Sequence, residues 1–152
     1  MSNSVHLYEL SEAMSLVLEA GGEISFVTAG FSMLPLLRNR MDKVFLKKPV
    51  KELEKGDVIF YKRENGAYVL HRIIGKRHDG YVLRGDNQTD IEYAVSKEQV
   101  LAVLQKVVRA DGKEIKCDSV KYKIYVFFLP LVRLFRFKIY PIYVKLIRKI
   151  IK

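Results

Sequence analysis

Three short boxes follow one another along the chain: Ala29-Gly30-Phe31-Ser32-Met33-Leu34-Pro35, Tyr68-Val69-Leu70-His71-Arg72 and Arg84-Gly85-Asp86-Asn87-Gln88-Thr89-Asp90. Together they offer a hydroxyl, an imidazole and two carboxylates, in the order Ser, His, Asp. A serine hydroxyl is a poor nucleophile near neutral pH; it needs a neighbouring base to take its proton, and a carboxylate commonly orients that base. Ser32 is the candidate nucleophile and His71 the candidate base, since an unperturbed imidazole, with a pKa of roughly 6.5, is a neutral acceptor near pH 7. Asp86 and Asp90 are both candidates for the orienting acid. An aspartate just after a glycine often caps a turn, so one of the two is expected to fix the loop while the other holds the histidine. Tetrahedral chemistry also needs donors for the developing oxyanion. Backbone N–H groups around Gly30, Ser32 and Met33 are the expected source, with Gly30 allowing substrate backbone to approach closely. His6 and His78 lack comparable surroundings and receive no role.

Alternating and β-branched runs must position these boxes. Ile24 to Thr28, Lys43 to Lys47, Val58 to Tyr61, Tyr68 to Ile74, Tyr81 to Arg84 and Val100 to Val108 read as strands. They are separated by turn signals at Lys55-Gly56-Asp57, Glu64-Asn65-Gly66 and His78-Asp79-Gly80. The spacing of Leu7, Leu10, Met14, Val17 and Leu18 predicts an amphipathic helix over Val5 to Ala20, ended by Gly21-Gly22. A short helical turn is expected over Pro35 to Asn39. The predicted fold is mainly β: an antiparallel sheet or small barrel with a short N-terminal helix. Phe26, Phe31 and Leu34, close to the serine, fit either shallow substrate pockets or the core.

At 152 residues, with 49% apolar and 29% charged residues, the chain has globular composition and room for one main domain. The lone Cys117 cannot form an internal disulfide, and no Cys/His cluster has zinc-ligand spacing, so no metal is expected. The net charge of +10 is unevenly placed. Residues 1–112 hold 16 Lys/Arg against 15 Asp/Glu, whereas residues 113–152 hold 11 against 2. The division falls at the Asp111-Gly112 turn, giving a compact domain over 1–112 and a basic tail over 113–152. The tail's longest uncharged run, Ile124 to Val132, is nine residues, well short of the roughly 20 that span a bilayer as a helix. In Ile142 to Lys152 the charges gather on one helical face. A basic face opposite an apolar one suits a helix lying on an anionic membrane surface. Pro130 and Pro141 are expected to divide the tail into short helices. Ser2 to Ala20 carries four charged or titratable residues in place of the basic start and apolar centre of a secretory signal.

Ser32-Met33-Leu34-Pro35, the His71 strand and Gly85-Asp86-Asn87 resemble the type I signal peptidases and their S24/S26 serine peptidase relatives. The resemblance runs from about Ile24 to Arg109. Histidine at position 71, where the best-known bacterial branch has lysine, is similar to the Ser/His branch. It implies a signal-peptidase/LexA-like β fold and a Ser/His endopeptidase of prokaryotic type, associated peripherally or interfacially with a membrane. Leader or signal segments of exported or secreted polypeptides would be its substrates. It further implies Ser32 as nucleophile, His71 as base and Asp90 or Asp86 as acid, no cofactor, and cleavage after small residues with the peptide added along a sheet edge. Relatives normally carry an N-terminal membrane anchor, and the basic tail is expected to take its place. Two other readings share the fold: a self-cleaving repressor-like protein, and a non-catalytic module whose tail aromatics contact nucleic acid or a membrane.

Overall fold

The structure, a computed structural model, describes residues 12–142. The start of the helix predicted from Val5, His6, and the predicted tail helix beyond Ile142 lie outside the described residues. The protein is mainly β. Strands β1 (Glu23–Val27), β2 (Lys43–Lys47), β3 (Val58–Lys62), β4 (Tyr68–Arg77), β5 (Gly80–Arg84), β6 (Glu92–Val95), β7 (Val100–Val108) and β8 (Glu114–Lys116) form one open antiparallel sheet. Its order is β1-β2-β7-β3-β4-β5-β6, with β8 pairing β7 beside β3. All six runs read as strands from the sequence are strands, and β4 continues three residues further, to Arg77. Two strands, β6 and β8, were not anticipated.

The elements follow from local chemistry. Helix α1 occupies residues 12–19 and ends where Gly21 turns left-handed, at φ 76°, as the Gly21-Gly22 pair predicts. The Asn65-Gly66 turn is closed by Arg63 N–H donating to the Ala67 carbonyl at 2.9 Å, with Gly66 at φ 84°. β7 is the backbone of the sheet because it is long enough to pair twice: its second half with β2 and its first half with β3. Ile59, Tyr61, Ile73 and Leu83 are wholly buried and pack with Leu53, Tyr81 and Val95 into one cluster. Truncating one of these aliphatic side chains to alanine removes about 2–5 kcal/mol of stability.

The chain divides into two units, Met1–Cys117 and Asp118–Lys152. The first extends past the Asp111-Gly112 turn because β8 returns onto β7, pairing Glu114, Ile115 and Lys116 with Val108, Val107 and Lys106. In the second, helix α2 (Val120–Leu134) is capped by Ser119, whose hydroxyl accepts from the Tyr122 N–H at 3.3 Å. Pro130 lies inside α2 and does not divide it. The helix runs on into a π-helical turn over Phe135–Ile139.

Candidate active site

Ser32 sits in the long connection between β1 and β2, which is tied at its neck. Arg40 N–H donates to the Thr28 carbonyl at 2.8 Å and Thr28 N–H to the Asp42 carbonyl at 3.3 Å. Asp42 is wholly buried. Its carboxylate accepts from the Arg38 backbone N–H and guanidinium, both at 2.7 Å, and from Arg109 at the end of β7. Burial alone would raise the pKa of Asp42, but the hydrogen bonds from Arg38 and the charge of Arg109 outweigh it and hold the carboxyl below its ordinary value. The expected helical turn after the serine is a run of tight turns in which Leu37 N–H reaches the Met33 carbonyl at 2.9 Å.

The Gly85-Asp86-Asn87 loop is docked directly beneath the serine. Asn87 donates its backbone N–H to the Ser32 carbonyl at 2.7 Å and its side-chain amide to the Phe31 carbonyl at 3.0 Å. In a trans peptide the C=O and the following N–H point in opposite directions. Fixing these two carbonyls on Asn87 therefore aims the N–H groups of Ser32 and Met33 away from it. Among the described residues neither N–H has an acceptor, which leaves them as a pair of donors beside the serine. The N–H of Gly30 is taken by Asn39 Oδ1 at 2.8 Å, so it is not a donor to the cavity, and its φ of 109° serves the turn. Gly85 permits the docking. A Cβ there would stand 2.7 Å from the Ser32 carbonyl oxygen and 3.1 Å from Ser32 Cβ.

His71 lies in β4, opposite Ile59 of β3, and is buried, 3% exposed. The carboxylate that reaches it belongs to Glu92, at the start of β6. Glu92 Oε1 is 2.8 Å from His71 Nδ1, and the Tyr61 hydroxyl is 3.4 Å from the same nitrogen. Neither aspartate expected in this role occupies it. Asp86 is turned to the other neighbour, Arg72, in a buried two-pronged ion pair with Nε to Oδ1 at 2.7 Å and Nη2 to Oδ2 at 2.6 Å. Arg72 also donates to the Gly56 carbonyl at 2.6 Å. Asp90 is exposed, and its carboxylate accepts from the Thr89 hydroxyl at 3.4 Å. The expected division of labour exists, one carboxylate for the loop and another for the histidine, but the second is Glu92.

Arg63, just beyond β3, completes the cluster. Its Nε donates to Glu92 Oε2 at 2.8 Å and its Nη2 to Oε1 at 2.6 Å, a bidentate grip. Burial alone would raise the pKa of Glu92, but hydrogen bonds from Arg63 and Tyr61 and the nearby His71 hold it below its ordinary value, so it is ionised at neutral pH. For His71, burial is the largest influence and lowers the pKa below 6.5; Glu92 opposes this without reversing it. The histidine is thus neutral near pH 7. An ionised carboxylate at Nδ1 selects the tautomer protonated there, leaving Nε2 to accept a proton. Tyr61 is pushed far above the usual phenol range, by burial first and by Glu92 second, and stays protonated.

Ser32 and His71 line one cavity of about 660 Å3. Gly30, Met33 and Arg63 also border it, and no hydrogen bond joins Ser32 to His71 among the described residues. The remaining wall is mostly apolar, broken by Ser25, Thr28 and Gln88 and built around Phe26, Phe60 and Tyr68, whose rings follow one another at 5.3 and 5.6 Å between centroids. Of the three apolar residues left between pocket and core, Phe26 faces the cavity, Phe31 is largely exposed and Leu34 is half-buried outside the wall. Strand β1 runs along the cavity and pairs only with β2, its other edge unpaired among the described residues. Among those residues no group of His, Cys, Asp and Glu has the arrangement of a metal site.

No protein-family model matches the chain, and no curated protein matches it.

Proposed function

We propose that the protein is a serine endopeptidase of signal peptidase type, using Ser32, His71 and Glu92 to remove leader or signal segments from exported or secreted polypeptides. The observation that carries this reading is the shared cavity of Ser32 and His71, with the Glu92 carboxylate 2.8 Å from His71 Nδ1. Base, orienting acid and hydroxyl are the parts that acyl transfer to serine requires.

The substrate adds as a strand along the unpaired edge of β1, its side chains meeting the apolar wall of the cavity. Ser32 Oγ attacks the scissile carbonyl carbon while its proton passes to His71 Nε2, and Glu92 stabilises the imidazolium so formed. The N–H groups of Ser32 and Met33 receive the negative oxygen. Collapse of the tetrahedral intermediate breaks the C–N bond, with the proton of Nε2 going to the leaving amine. Water, deprotonated by the same nitrogen, then releases the acyl group from Ser32.

Incubation of the purified protein with a panel of precursor peptides, the cut mapped by mass, tests the reading. Cleavage is expected at a single bond after a small residue, and its loss in both Ser32→Ala and His71→Ala with circular dichroism unchanged. Full cleavage by either variant would rule the assignment out.

A further inference from the structure

Helix α2 leaves a run of large apolar residues exposed. Tyr122 and Leu129, seven residues apart and so on one face, are buried. On the opposite face Ile124, Phe127, Phe128 and Leu131, continued by Phe135 at the start of the π-helical turn, recur at helical spacing and are 49–75% exposed. A helix on a solvated protein surface turns its polar side to water. A contiguous exposed stripe with two or more phenylalanines marks a surface that meets something apolar.

Charge identifies the partner. From Ser119 to Lys152 the chain has no Asp or Glu and nine Lys/Arg. On the helical wheel Lys121 and Lys123 fall on the two sides of the stripe. A second copy of this helix would set like charges against like, with no acid to relieve them. An anionic lipid surface supplies what the helix lacks: an apolar layer for the stripe and negative headgroups for its lysines. Orientation follows from charge. The helical run over 120–142 carries Lys121, Lys123, Arg133, Arg136 and Lys138, which the hydrocarbon core disfavours, and no described helix is long and apolar enough to cross a membrane.

We propose that α2 lies in the plane of an anionic bilayer, with the Ile124-Phe127-Phe128-Leu131-Phe135 stripe seated at the headgroup–acyl boundary and Lys121 and Lys123 on headgroup phosphates. This surface is independent of the peptidase reading, and either can fail alone.

The chain has no tryptophan, so Phe127→Trp in the full-length protein places a single indole on the stripe. Its emission is expected to shift to the blue with vesicles of phosphatidylcholine containing about 30% phosphatidylserine and to stay put with phosphatidylcholine alone, given the attraction of basic residues to anionic leaflets. In co-sedimentation, Phe127→Ser combined with Leu131→Ser should weaken partitioning by at least about tenfold, as expected for loss of buried apolar side chains. Lys121→Gln with Lys123→Gln should weaken it by about fivefold per charge. Both pairs alter exposed positions, and unchanged circular dichroism verifies their fold. An indole that ignores both vesicle types, or a Ser/Ser variant that partitions as well as the parent, would overturn the proposal. So would an indole already shielded without lipid in a concentration-dependent dimer, which would make a second copy the occupant.

Discussion

Arg63 holds Glu92 by two hydrogen bonds, and one of the two oxygens it grips, Oε1, is the same oxygen that lies 2.8 Å from His71 Nδ1. The orienting acid is itself oriented. Its carboxylate plane is fixed by a planar guanidinium, and the histidine inherits that alignment. Arg63 also bears directly on the titration of His71, because its positive charge lowers the histidine pKa.

Replacing Arg63 should therefore have two separable effects. Arg63→Gln loosens Glu92 and should lower kcat by about ten- to a hundredfold, less than the 10²–10⁴ associated with losing general acid–base catalysis altogether. It also removes a charge that depresses the His71 pKa, so the acid limb of the pH–rate profile should move to higher pH. Arg63→Lys should restore the limb more fully than kcat, since lysine keeps the charge and loses the fork. A profile unmoved in Arg63→Gln would show that the ion pair does not reach the base.

Glu92→Gln acts in the opposite sense on pH. Both the charge of Glu92 and its hydrogen bond raise the His71 pKa, so their loss should shift the acid limb to lower pH. The plateau should fall by about 10²–10⁴, the range for a histidine left without its carboxylate. Asp90→Asn, at an exposed position away from the histidine, should cleave like the parent. Reversed ranks for the two variants would return the acid to the Gly-Asp-Asn loop.

The difference between reading and structure is concentrated in β6. Ser32, His71 and the six longer strands stand in sequence patterns of alternation and turn chemistry, and they fold accordingly. Glu92-Tyr93-Ala94-Val95 has no such alternation. Ala94 takes a positive φ of 56°, the register against β5 shifts between Tyr81 and Leu83, and two successive residues, Tyr93 and Ala94, are exposed. An irregular four-residue strand carries almost no periodic signal, so the acid that it delivers was hidden with it. Asp86 misled for a physical reason: Arg72, one residue from the base, is an equally good carboxylate partner, and only the side each residue faces decides between them. Arg63 and Arg109 were unreadable because their partners are 29 and 67 residues away.

Asp86 should behave as a stability residue. Its side chain and that of Arg72 are 1% and 3% exposed, so removing one partner takes a two-pronged ion pair away from a buried charge. Asp86→Ala is expected to cost about 3–5 kcal/mol in urea unfolding, the usual penalty for breaking a buried pair. Asp86→Ala combined with Arg72→Met should recover much of the loss, since the buried guanidinium goes too. A double variant no more stable than the single one would contradict this account.

Acid should weaken the fold in two stages. Because burial lowers the His71 pKa in the native state, the unfolded chain takes up its proton first as pH falls below 6.5. It binds more protons than the native state in that window, so stability declines with falling pH at up to about 1.4 kcal/mol per unit. Asp42 and Glu92, whose carboxyls are held below their ordinary values of 3.8 and 4.5, contribute stability that is lost only at lower pH, from about those values downward. Urea midpoints from about pH 2 to 7 should therefore show a decline beginning near 6.5 in the parent. In His71→Gln that upper stage should vanish, leaving the carboxylate stage.

Gly85 tests whether the loop under the serine matters for chemistry more than for folding. Adding a methyl group there puts it 2.7 Å from both the Ser32 carbonyl oxygen and Gln88 Oε1. The glutamine side chain can swing aside; the backbone carbonyl, held by Asn87, cannot do so without rotating the peptide that carries the Met33 N–H. Gly85→Ala should thus displace nucleophile and oxyanion donors together, and misplacement by about 1 Å commonly costs 10²-fold in rate. The loss should appear in kcat with KM little changed, because the β1 edge and the apolar wall are untouched. Asn87→Ala removes the hydrogen bond that the side-chain amide donates to the Phe31 carbonyl and keeps the one from its backbone N–H to the Ser32 carbonyl, so a smaller fall in kcat is expected, about tenfold for one loosened donor. Wild-type kcat in Gly85→Ala would mean that the serine loop adjusts independently of Gly85-Asp86-Asn87.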